Sequence, residues 1–130
     1  MSETFHIVET DKNVDQAVAD LTAAAAERGY GVLHVHDLRA KMAEKGVAFP
    51  RECRVLEVCN PRQAAAVLEV DMRISLALPC RVCVFEQDGR TRIGALRPAE
   101  ALAVFSPDAE LREAAAQVER DVLAMIEAAR

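Results

Sequence analysis

Four cysteines fall in two close groups, at residues 53 and 59 and at residues 80 and 83. Cys59 closes the apolar run "RVLEVC" and is followed at once by Asn60 and Pro61, a pair suited to starting a helix: Asn caps free amides and Pro fits the first helical position. A thiol beside a helix start meets unpaired N–H groups and the positive end of the helix dipole. Both favour the thiolate, the form that attacks disulfides and binds soft metals. Cys59 is therefore the expected nucleophile. Cys80, between Pro79 and Arg81 in "LPCRVCV", is the expected resolving thiol. Arg81 either steadies a thiolate or an anionic ligand or stands on the strand surface.

Cys80-x-x-Cys83 has thioredoxin spacing but not its setting, because "CRVCVF" reads as strand interior. Three steps along a strand span about 10 Å and turn the two side chains to opposite faces, beyond the ~7 Å Cα separation a disulfide tolerates. The expected couple is Cys59 with Cys80, joined if strand order allows by Cys53, which shares the face of Cys59. Free cysteine also packs as a small hydrophobe, the reading expected for Cys83 between Val82 and Val84. A metal reading gathers Cys53, Cys59, Cys80, His34 and His36 around Cu(I) or Zn, soft or borderline ions suited to thiolate and imidazole. The alternative for the two histidines is a wet sheet face. No cofactor is required by these residues, and the chain carries no Gly-rich phosphate loop, nucleophile-elbow serine or helical histidine pair.

The elements that must position these thiols follow from periodicity and turn chemistry. "TFHIVET" reads as a strand with Phe5 and Ile7 set against His6, Val8 and Glu9. A helix runs from an Asn13 cap, with Gln16 as capping-box partner, to Gly29 and Gly31. "GVLHVHD" is a second strand, with Leu33 and Val35 on one face and Val32, His34 and His36 on the other. Asp37 caps "LRAKMAEK", and "RECRVLEVC" leads into the helix capped by Asn60, with Gln63 completing its box. Asp88-Gly89 between two apolar runs marks a hairpin with a primed turn. Pro98 opens a short helix, and Ser106-Pro107 caps a final one with Leu111, Ala114, Ala115, Val118, Val122 and Met125 at helical spacing. The expected fold is one α+β domain over residues 1–130, mostly antiparallel strands with helices on one face.

Composition removes other classes. With 21 acidic against 16 basic residues, one Tyr and no Trp, the basic, aromatic face of many nucleic-acid binders is missing. No apolar run approaches the roughly 20 residues of a membrane span, and "MSETFHIVETDK" has no secretory pattern. The expectation is a cytoplasmic protein with no nucleic-acid or membrane partner, whose thiols stay reduced.

Taken together, "VCNP", "LPCRVCV", the "FEQDGRTRIGALRP" hairpin, the "ERGYGVL" turn and the closing amphipathic helix resemble the bacterial and archaeal domain-of-unknown-function 302 family over nearly the whole chain. The resemblance implies a β-α-β(4)-α order related to the TATA-binding-protein arrangement, with short extra helices, and a homodimer. It places Cys59 and Cys80 at the family's signature positions and implies no reaction. Three functions follow: a thiol protein working on a small thiol or sulfur-carrying partner, a soft-metal module, or a homodimeric ligand-binding or interaction domain with structural cysteines.

Overall fold

The computed structural model describes residues 4–105 and 109–130. Each long connection begins with a side-chain cap. Asn13 accepts from the Gln16 amide at 2.8 Å ahead of α1 (Val14–Glu27), and Asp37 accepts from the Ala40 amide at 3.0 Å ahead of α2 (Leu38–Glu44). Asn60 accepts from the Arg62 and Gln63 amides at 3.1 and 3.2 Å ahead of α3 (Pro61–Val70). These caps satisfy amides that a helix start leaves without intrahelical partners. The two capping boxes do not close: Gln16 donates to Asp20 at 2.8 Å, and Gln63 turns to α5 (Ala109–Ala129). The expected Ser106-Pro107 cap lies outside the described residues.

The strands are β1 (Phe5–Thr10), β2 (Gly31–Asp37), β3 (Cys53–Cys59), β4 (Cys80–Gln87) and β5 (Arg90–Leu96). They form one sheet in the order β1-β5-β4-β3-β2, with all four neighbouring pairs antiparallel. Asp88 and Gly89, with φ of 55° and 75°, make the primed turn between β4 and β5. The chain is thus α+β and follows the β-α-β(4)-α order, with α2, α3, a short 3₁₀ helix (Met72–Leu76) and α4 (Pro98–Leu102) as additions.

α1 and α5 cover one face. Leu21, Ala25, Val122, Met125 and Ile126 pack there with Leu56, Val58, Val82, Val84 and Ile93, all fully buried. A second, smaller cluster joins α3, the 3₁₀ helix, α4 and the first half of α5 through Val67, Ile74, Leu102, Leu111 and Ala115. The short helices therefore add a separate apolar knot to the two-helix layer.

Two strand faces differ from the sequence expectation. In β1 the buried side chains are Val8 and Thr10, while Phe5 and Ile7 stand 46% and 43% exposed. In β2 the register steps between Val32 and His34, pairing Val32 with Val58 and His34 with Glu57. Leu33 is the extra residue. Val32 consequently joins Val35 on the face of Val58 and Leu56, and only His34 and His36 keep the opposite face, because a bulge resets the two-residue alternation.

Candidate functional site

Cys59 is the last residue of β3 and Cys80 the first of β4. The β3–β4 register pairs Val58 with Cys80, so Cys59 is one strand step, about 3.3 Å, past a partner lying roughly 5 Å across the ladder. The two Cα atoms are then about 6 Å apart. Both residues are half-buried, free thiols, and both line one cavity of about 20 Å³ at the seam between the two apolar clusters, room for a single water. The alternation of β4 is the reason Cys80 points inward: it shares the parity of buried Val82 and Val84 and packs against the main core.

Burial, followed by the nearby Cys59 charge, pushes the Cys80 thiol up to about 11. At neutral pH Cys80 is therefore protonated. The helix start beside Cys59 offers less than the sequence promises. Pro61 has no amide hydrogen, Asn60 Oδ1 takes the Arg62 and Gln63 amides, and the Asn60 carbonyl takes that of Ala64 at 2.9 Å. The cap thus occupies the donors that a Cys59 thiolate was expected to use, and what α3 retains for it is the dipole.

Tyr30, Gln63 and Asp121 complete the surroundings. Tyr30 is 4% exposed and lines the same cavity. Its hydroxyl donates to Asp121 Oδ2 at 2.9 Å and lies 3.2 Å from Gln63 Oε1, while Gln63 Nε2 donates to Asp121 Oδ2 at 3.4 Å. A phenol has one proton, and the shorter contact, to the carboxylate, holds it. Burial and Asp121 both push the Tyr30 phenol up. Neither Tyr30 nor Asp121 was a sequence candidate. The available signals were the chain's single tyrosine between Gly29 and Gly31, and a carboxylate flanking the apolar stripe of α5.

The remaining candidates separate. Pro79, in a cis peptide with Leu78, and Arg81 line a larger pocket with Cys80. Cys53 lies six residues from Cys59 on β3, about 20 Å away, so it does not join the Cys59–Cys80 couple. Cys83 faces away from Val82 and Val84. It neighbours Cys53 on the sheet face opposite the helices, where burial pushes both thiols up. His34 and His36 share that face, their rings 4.3 Å apart, with His36 Nε2 2.9 Å from Glu57 Oε1. Cys53, Cys59, Cys80, His34 and His36 do not form one ligand set, because alternation and strand length place them on two faces and at two ends. Among the described residues no group of three or more His, Cys, Asp or Glu side chains is arranged to hold a metal ion, so the soft-metal reading lacks its donor set.

Residues 6–129 match the family described as domain of unknown function DUF302. The chain belongs to the DUF302 family. The fold agrees: the chain is similar to the uncharacterized conserved protein DUF302 from Bacillus stearothermophilus, with a TM-score of 0.93 and 29% identity over 99% of this chain and 100% of that one. No curated protein matches it. Within this DUF302 fold, no helix among the described residues is long and apolar enough to cross a membrane.

Proposed function

We propose that the chain is a thiol protein in which Cys59 and Cys80 act as a pair in redox or sulfur-carrier chemistry, in a reducing, cytoplasmic setting, on a small thiol or sulfur-carrying partner. The observation that carries this reading is the shared cavity: two thiols from adjacent strand ends, about 6 Å apart at Cα by strand geometry, line one small chamber. The protonation of Cys80 divides the roles, since a thiol pushed up to about 11 is a poor first nucleophile near neutrality. Cys59 attacks first.

With a disulfide partner, the Cys59 thiolate bonds to one sulfur and expels the other as a thiolate. That thiolate takes the Cys80 proton. Cys80 then attacks the Cys59 sulfur of the mixed disulfide, expels the second thiolate and closes the Cys59–Cys80 disulfide, so two electrons pass to the partner. With a persulfide partner, attack on its outer sulfur moves that sulfur onto Cys59 and releases the donor thiol. Alkylation rates against pH for wild type, Cys59→Ser and Cys80→Ser test the pair. The expected result is one fast folded-state thiol that disappears in Cys59→Ser, with a Cys59–Cys80 disulfide found by peptide mapping after oxidised glutathione. Thiols that react only as denatured cysteine does, or stay inaccessible, overturn the reading.

A second reading, a homodimeric interaction domain, draws on the sheet face that α1 and α5 leave uncovered, where exposed Phe5 and Leu96 are register partners.

A further inference from the structure

The β4–β5 ladder stops short. Its last pair towards the β4 start is Cys83↔Gly94. Beyond it residues 80–82 pair with β3 and residues 95–96 with β1. The two central strands part there, and their facing backbone edges are not committed to each other. A pocket of about 430 Å³ occupies the gap, roofed by α4 and the end of the 3₁₀ helix, within the ~300–1,000 Å³ range of small-molecule sites. Its walls are apolar, with Leu76, Leu78, Leu96, Pro98 and Leu102 prominent, and Arg81 is its single charged residue.

Arg81 stands opposite Glu57 in the register, the position of an ion-pair partner, yet the Glu57 carboxylate is held by His36 at 2.9 Å. Among the described residues Arg81 has no ion pair. An uncommitted guanidinium at an apolar pocket matches a carboxylate, which it grips through two parallel N–H donors. One cation balances one negative charge and leaves a dianion half compensated.

We infer that this pocket binds a small apolar monocarboxylate, of the medium-chain or aromatic kind, with Arg81 holding the carboxylate and the gap between β4 and β5 holding the apolar body. This binding goes beyond the thiol reading and does not depend on it. The two sites nevertheless touch: Cys80, Leu78 and Leu102 line both the pocket and the Cys59–Cys80 cavity, so a bound carboxylate lies against the Cys80 wall.

Titration calorimetry of the full chain with octanoate and with octanol tests the site, since neither probe undergoes thiol chemistry. Octanoate is expected to bind about tenfold or more tighter than octanol. Arg81→Gln removes that preference, Ala101→Phe, which fills the pocket from α4, weakens both probes, and Cys59→Ser leaves both unchanged. Equal binding of octanoate and octanol to wild type, a charge preference that survives Arg81→Gln, or binding unaffected by Ala101→Phe overturns the inference. Because Cys59→Ser spares the pocket, its failure is distinct from failure of the thiol pair.

Discussion

Cys80 couples its burial to the stability of the whole chain through its proton. The unfolded thiol titrates near 9.0 and the folded one at about 11, so folding favours the protonated form. Below pH ~9 both states hold the proton and the contribution is complete; as pH rises from about 9 to 11 the unfolded state ionises first and stability falls, by roughly 2–3 kcal/mol at most. Urea unfolding across that interval should give a smaller decline for Cys80→Ser than for wild type. The difference between the two curves isolates Cys80, because Cys53 and Cys83, which burial also pushes up, remain in both. An identical decline in the variant would show that Cys80 ionises in the folded chain as freely as in the unfolded one.

At the scale of elements, the junction between β3 and α3 sets cap against thiol. Asn60→Ala removes both side-chain bonds to the Arg62 and Gln63 amides and should cost about 1 kcal/mol in urea unfolding. It also frees two donors beside Cys59, so alkylation of Cys59 at fixed pH should speed up; a slower rate would mean that Asn60 positions the thiol rather than competing with it. This junction was largely legible in the sequence, because Asn-Pro after an apolar run is local chemistry. So were the Asp88-Gly89 turn and the Asp37 cap. What escaped was non-local. Gln63 leaves its capping box because Asp121, 58 residues away, and Tyr30 offer it better partners. Cys83 is half-buried on the open sheet face and not in the core that its flanking valines suggest, because alternation turns it away from them.

At the scale of the molecule, the antiparallel order places β1 and β2 at opposite edges, and α1, which joins them, spans the sheet's covered side together with α5. The other side keeps Phe5, Ile7 and Leu96 exposed. Sedimentation over a range of concentrations should show a dimer that Phe5→Lys converts to monomer; a wild-type monomer throughout would remove the homodimer reading. Gly94 belongs to the same side: a Cβ there would lie 2.7 Å from Ile7 Cγ1 and 2.9 Å from the His6 carbonyl oxygen, so β1 approaches β5 more closely than a side chain allows. The bulge at Val32/His34 has a consequence for the chain's company. β2 is an edge strand, and an edge that keeps perfect register is a template on which a stranger's strand can hydrogen-bond. One surplus residue breaks that template, so β2 ends the sheet instead of inviting its growth from molecule to molecule.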